Sequence, residues 1–294
     1  SDHDSSGHLI SPDYGYLPIR SVSLMFVALF GLSTVVHFLQ ALYSRAWWLL
    51  PTVILGGCGE VAGWYCRAWS HQQPLNDTPY TIQVLALILA PTPLVGGLFI
   101  AFGRMVARLG QRYSRLSPRL YSRIFLTCDI VALLIQASGG GIASGNDDVT
   151  VAKVGSNIML GGIIFQLAAL VVFGLLLVEY LLRYNKDRPI KKPAAGDAEM
   201  ARRSHRRSRK SALRLDYAVG HSVCQRSTHP MGIYRTVELA DGWNGKVIKT
   251  QSLFIIFDGV MVFGAMFVLN VCHLGILLKA LVSLEEGAIP LTKA

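Results

Sequence analysis

Six uninterrupted apolar stretches, each near 20 residues or longer, run through this chain, and several hold a single acid or amide near their middles. About 20 apolar residues at ~1.5 Å per residue match a hydrocarbon slab of roughly 30 Å. A stretch such as TIQVLALILAPTPLVGGLFIAFG fits that slab and is too apolar throughout for a soluble core helix. The pattern predicts an all-α fold, a polytopic transmembrane helical bundle with six clear spans at 21–42, 47–69, 80–102, 120–142, 155–182 and 252–278. Hydrophobic residues make up 52% of the chain and charged residues only 16%, which supports one membrane domain. Soluble domains carry roughly 25% charged residues.

Basic residues set the orientation. Arg45, the group Arg104, Arg108, Arg112, Arg115 and Arg119, and the Lys and Arg run from Arg183 to Arg214 all fall on one side, whereas Arg20, Arg67 and Lys153 fall on the other. The richer side is read as cytoplasmic. Residues 1–20 then form an extracellular N-terminal segment and 21–182 a five-helix transmembrane region. Residues 183–251 form a basic cytoplasmic linker, 252–278 the last span and 279–294 a tail. The net charge of +10 beside membrane spans points to anionic membrane lipids as partners, above all at RRSHRRSRK, and not to nucleic acid. Cys58, Cys66, Cys128, Cys224 and Cys272 show no Cys-x-x-Cys spacing, so no disulfide framework is expected. The sequon Asn76-Asp77-Thr78 falls on the outer side.

An ionised side chain at a helix centre costs roughly 2.5 to 3.5 kcal/mol on insertion scales, so it faces a partner, the bundle interior or water. Glu60, Asp129 and Asp258 occupy such positions, and three acids in one small domain point to a shared cavity. Glu60 and Arg67 share a stripe of the second span but stand about 10 Å apart along its axis, too far for a direct ion pair. Phe125, Asp129 and Gln136 share a face of the fourth span, and the following Gly139, Gly140 and Gly141 are read as ending or kinking that helix. With the N-terminus outside, Glu60, Gln83, Gln136 and Asn157 fall in the outer half, Asp129 and Gln166 near the midplane, and His37 toward the inner side.

The expected site is therefore a polar cavity opening outward and lined by Glu60, Arg67, Gln83, Asp129, Gln136, Gln166 and Asp258. It suits a lipid or amphiphile ligand with a polar or cationic head. The competing reading of any one of these residues is a hydrogen bond that merely holds two helices, at about 0.6 kcal/mol. Gly59 and Gly63 form a small-xxx-small pair that lets another helix approach, and Pro91 with Pro93 interrupts the third span near its centre. No phosphate-loop motif is present, and His37 and His273 are isolated within spans, so no cofactor, no metal and no enzyme activity are expected.

These residues, taken in order, resemble the fungal lipid-translocating exporter family, seven-span proteins of the aminocholesterol-resistance type. The resemblance runs through Gly15-Tyr16-x-Pro18, His37 and Glu60-x-x-Gly63-Trp64-x-x-Arg67, where the family usually has Tyr in place of Trp64. It continues through Tyr80-x-x-Gln83, Ala90-Pro91, Gly103-Arg104 and Phe125-x-x-x-Asp129 with Gln136 and Gly139 to Gly141. Gly155, Gly161-Gly162 and Gln166 follow, then Tyr234-Arg235-x-x-Glu238, Gly242, Gly245, Asp258-x-x-Met261 and His273.

The resemblance implies a multi-pass protein, of the plasma membrane first and endomembranes second, linked to export or flipping of sphingoid bases, sterol-like toxicants and similar amphiphiles. A seven-span receptor-like lipid sensor without transport activity is the alternative. Two departures stand out. Gln251 replaces the family's usual Glu, and RRSRKSALRLDYAVGHSVCQRSTHPMGI stands where the family has its sixth span, with a charge content that cannot cross hydrocarbon. One span fewer leaves two directions open for the last helix. In the family direction, Gly242 to Gln251 lie outside; in the reverse direction, Asp258 moves to the inner half and the C-terminus exits.

Overall fold

Extended backbone at Ile19 leads into α1 (Arg20–Ser44), which closes on Arg45, whose left-handed φ of 53° turns the chain. The computed structural model describes residues 14–144, 148–190, 233–234, 236–237 and 250–271. A 3-10 turn at Trp47–Leu49 and a π turn at Leu50–Ile54, with Pro51 supplying no N–H, feed α2 (Leu55–Gln72). Asn76 caps α3 (Asp77–Leu89) by accepting from the Thr78 amide at 3.0 Å, so the sequon asparagine serves as a helix cap. Pro91 opens α4 (Pro91–Leu109), and the broken pair α3 and α4 makes one span, as the prolines predicted. Then come α5 (Pro118–Ser144) and α6 (Val149–Asn185), followed by α7 (Gln251–Val271), which holds a second π turn at Ile255–Val260.

Among the described residues there is no strand, and five helical stretches are long and apolar enough to cross a membrane: α1, the α3–α4 pair, α5, α6 and α7. The sixth expected span is present as the helical path through α2, which falls short of the same measure of apolarity. Its glycines and its polar residues Glu60 and Arg67 lower its hydropathy, and the flanking α1 and α3 cover them.

The bundle is inverted relative to a soluble protein. Leu32, Leu134 and Leu175 are about three-fifths exposed or more, whereas Glu60, Arg67, Gln83, Asp129, Gln136 and Asp258 are all within 3% of full burial. Lipid tails accept the leucines, and only the interior can satisfy the polar groups. Rings fill the space between α4, α5 and α6 toward the α4–α5 connection, with Phe99 and Phe173 centred 4.6 Å apart and Phe102 and Tyr121 4.8 Å apart.

One sequence expectation is corrected here. Gly139 to Gly141 do not end a helix, because α5 runs unbroken through them to Ser144. Gly139 and Gly155 instead bring the backbones of α5 and α6 together: a Cβ on Gly155 would lie 2.5 Å from the Ala143 amide. Close packing offsets a helix cost of about 1 kcal/mol per glycine. Gly59 lies against Ala90 and Gly63 against Leu87, at the α2–α3 contact.

Helix directions follow from register. Phe26 lies against Gly259, Phe30 against Phe263, His37 bonds the Met266 carbonyl at 3.2 Å and Gln40 the Asn270 carbonyl at 3.0 Å. Both sets of numbers rise together, so α7 runs parallel to α1, and of the two directions left open by the sequence the family direction is observed. At the arginine-rich end of the bundle the α4–α5 connection is tied to the end of α6. Tyr113 donates to Asp187 at 2.5 Å, the Ile190 amide donates to the Arg112 carbonyl at 2.8 Å, and Glu179 pairs with Arg115 at 2.7 Å and Arg183 at 2.8 Å. The RRSHRRSRK run, the charged stretch that replaces the sixth span, Arg235, Glu238, His273, Cys224, Cys272 and residues 279–294 lie outside the described residues.

Candidate functional site

Among the described residues, the hydrogen bonds and ring contacts gather the candidate polar residues in two groups. The first lies at the starts of α1, α3 and α7 and the end of α2. Helical period places Glu60, Trp64 and Arg67 on one face of α2, and all three are buried. Trp64 stacks on Phe26 at 4.3 Å and touches Phe254 at 5.5 Å. Arg67, 1% exposed, donates to the Tyr16 hydroxyl at 2.9 Å and lies 4.4 Å from the Phe254 ring centre, 5.3 Å from that of Tyr14 and 5.6 Å from that of Tyr16. Three rings around a guanidinium supply the electrostatic stabilisation that burial removes.

Segment 14–18 closes over this group. The Tyr14 hydroxyl donates to Gln83 Oε1 and stands 3.1 Å from Ser70 Oγ, while His71 Nδ1 donates to the Pro18 carbonyl at 2.8 Å. Asp258 sits in the π turn of α7, one turn inward of Phe254, and is 2% exposed. Glu60 sits one turn inward of Trp64 on the antiparallel α2, so the two carboxyls fall at one level beneath the Trp64–Phe254 contact.

The second group lies between α4, α5 and α6. Gln166 is its centre, bonded to Gln136 at 2.8 Å, to Thr92 at 3.2 Å and to Asp129 Oδ1 at 2.6 Å. Asp129 Oδ2 is buried and makes no hydrogen bond among the described residues. Pro91 explains how the groups are kept apart. The α3–α4 joint packs Ala90 against Gly56 and Gly59 of α2, while Thr92, two residues on, reaches Gln166 on the other side. His37 joins α1 to α7, and Asn157 is exposed and belongs to neither group.

Sequence reasoning passed over Thr92, Tyr14, Ser70 and the bond from Asn270 to Ser33 at 2.6 Å. Small polar residues in apolar helices are common, and no spacing within one helix marks those that meet a partner on another. Among the described residues no cluster of His, Cys, Asp and Glu is placed to hold a metal ion.

Helices with lipid-facing apolar surfaces and acids in their interior define a multi-pass α-helical membrane protein. The chain belongs to the family described as RTA1 like protein, whose model matches residues 53–280. The sphingoid long-chain base transporter RSB1 of Saccharomyces cerevisiae is 27% identical over 296 aligned positions, covering 95% of this chain and 76% of that protein. Protein RTA1 of the same yeast is 27% identical over 275 positions, covering 85% of this chain and 81% of the relative. Protoporphyrin uptake protein 1, also from that yeast, is 25% identical over 282 positions, covering 84% and 87%. No solved structure matches the chain.

Proposed function

We propose that this protein translocates amphiphilic lipids across a membrane, the plasma membrane first, and that it recognises a cationic head group through buried acids. The observation that carries the reading is Asp129: a carboxyl 3% exposed inside a transmembrane bundle, with one oxygen bonded to an amide and the other without a hydrogen bond among the described residues. A group so expensive to bury is kept where it meets a ligand or an ion. An ammonium head is the complementary partner, because it brings donors and an opposite charge to the open oxygen.

Glu60 and Asp258 extend the same chemistry to the outer group, with Arg67, Gln83, Gln136 and Gln166 supplying neighbouring polar contacts. Two relatives support a transport role. One is named for sphingoid long-chain bases, which are long-chain amines, and one for uptake of protoporphyrin, which also joins a large apolar body to ionisable groups. Binding and movement without bond breakage is the chemistry assigned here.

The test is Asp129→Asn expressed in a deletion strain. Release of a fluorescent long-chain amine from the cells and growth in the presence of that amine are both expected to fall at least tenfold toward the deletion level. Full release and full resistance in the variant would remove Asp129 from the transport site. A ligand-dependent signal without movement of the amine would instead favour a sensor.

A further inference from the structure

We propose that Asp129 holds a proton in the resting protein and releases it when a cationic head group docks, so that the midplane site exchanges one proton for one cation. The exchange rests on the head-group reading given above, whereas the resting proton does not.

The first ground is the lack of a counter-charge. A buried carboxylate without a cation costs several kcal/mol even after relaxation. Among the described residues, every element packed against α5 presents Asp129 with neutral groups. From α4 comes Thr92, and Arg104 lies twelve residues further along, about 18 Å away. From α6 come Gln166 and Gly162, with Lys153 and Glu179 each thirteen residues from Gln166, about 20 Å in opposite directions, and Arg183 beyond. Asp77, the acid of α3, lies at the outer start of that helix, and on α5 itself Arg123 is exposed on another face.

The second ground is geometry. Hydrogen bonds from N–H to oxygen centre near 2.9 to 3.0 Å, and those from O–H near 2.7 to 2.8 Å, shorter still beside charge. Asp129 Oδ1 lies 2.6 Å from the Gln166 side chain, a separation that a carboxyl O–H spans to an amide oxygen.

A primary amide has nearly the same shape after its oxygen and nitrogen exchange places, so turning Gln136 and Gln166 together leaves the same positions occupied and exchanges only which of them are donors. In the turned arrangement Gln166 Oε1 accepts from the Asp129 hydroxyl at 2.6 Å and from the Thr92 hydroxyl at 3.2 Å, and Gln166 Nε2 donates to Gln136 Oε1 at 2.8 Å. Asp129 Oδ2 is then the carbonyl oxygen of a neutral acid, far cheaper to leave open than an anionic one.

The exchange balances without a further reactant. The Asp129 O–H bond breaks with its electron pair left on oxygen, the proton passes to water, and the arriving ammonium pairs with the carboxylate. The midplane site is neutral before and after.

Infrared spectroscopy of the full chain in lipid nanodiscs tests the resting proton. Wild type is expected to show the C=O stretch of a protonated carboxyl at neutral pH, with Asp129→Asn removing it and Gln166→Leu shifting it as the hydrogen bond is lost. If Asp129→Asn does not fold, the Gln166→Leu shift and the wild-type shift in heavy water identify the band. Titration with a long-chain primary alkylamine in weak buffer, measured against empty nanodiscs, is expected to release one proton per amine bound.

A spectrum in which neither variant alters a protonated-carboxyl band overturns the resting proton. Amine binding without proton release overturns the exchange. A normal band with no amine binding overturns both the exchange and the head-group reading, and leaves the resting proton supported.

Discussion

The guanidinium carbon of Arg67 lies 4.4 Å from the ring centre of Phe254, joining the C-terminal half of α2 to the first turn of α7 across 187 residues of chain. With the rings of Tyr14 and Tyr16 it forms a cage that a planar, weakly hydrated cation fills and a compact ammonium does not. Arg67→Lys keeps the charge and loses the stacking. It is expected to lower stability by about 1 to 2 kcal/mol, read as a lower thermal unfolding midpoint in detergent. An unchanged midpoint would show that the rings surround Arg67 without stabilising it.

Gly259 follows Asp258 in the π turn of α7, and a Cβ there would meet ring atoms of Phe26 at 2.5 to 2.9 Å. Phe26 is fully packed against Trp64, so it has no open direction in which to yield. Gly259→Ala is expected to cost about 1 to 3 kcal/mol through overpacking. Pairing it with Phe26→Leu, which makes room for the methyl, should restore part of that loss in the same unfolding measurement. Absence of rescue would mean that the α1–α7 contact is not tight at this level.

The spans were readable because hydropathy over about 20 residues is a local property, and Asp129 and Gln136 could be placed on one face because both lie on one helix. Depth in the membrane was readable for the same reason. Which way each face points around the bundle was not, so seven residues at compatible depths merged into a single expected cavity. The structure divides them at the Pro91 joint, with Gln83 and Arg67 beneath Tyr14 and Tyr16, and Gln136 and Gln166 with Asp129. Gly139 to Gly141 were misread because intrinsic propensity argues against glycine in a helix, while the compensating contact with Gly155 comes from another helix. The π turn around Asp258 has no signature in hydropathy at all.

At the arginine-rich end of the bundle, two kinds of contact hold α6 to the α4–α5 connection, and they should respond differently to substitution. Tyr113 is 1% exposed and donates to Asp187, whereas Arg115 and Glu179 meet where solvent and salt screen them. Tyr113→Phe is expected to cost about 1 kcal/mol, and Glu179→Gln less. Burial, and then the bond to Asp187, hold the Tyr113 hydroxyl above the usual phenol range. A raised value in the folded state means that this stabilisation is complete below the ordinary phenol pKa of about 10 and is lost as pH rises through the folded value. Unfolding followed against pH should therefore show a fall in stability in that alkaline window that is shallower in Tyr113→Phe. Equal slopes for the two proteins would assign the alkaline loss to other groups.

The parallel course of α1 and α7 makes the topology testable at two positions. α1 enters from the side of Tyr14 and Tyr16, and helices α2, the α3–α4 pair, α5 and α6 then alternate, which leaves Lys186 on the side of Arg45 and Arg112. Thr250 precedes Phe254, which lies against Arg67 at the opposite side. Single cysteines at Lys186 and Thr250 in an otherwise cysteine-free chain are thus expected to react with an impermeant maleimide from opposite faces, Thr250→Cys in intact cells and Lys186→Cys only after permeabilisation. Ser33 and Asn270 supply a further check, because their 2.6 Å bond belongs to the register in which Phe26 meets Gly259 and His37 meets Met266. A double-mutant cycle between Ser33→Ala and Asn270→Leu should give a coupling of about 0.6 kcal/mol. Labelling of both cysteines from one face, with no coupling in the cycle, would reverse α7 and move Asp258 away from Glu60, dissolving the outer group of acids.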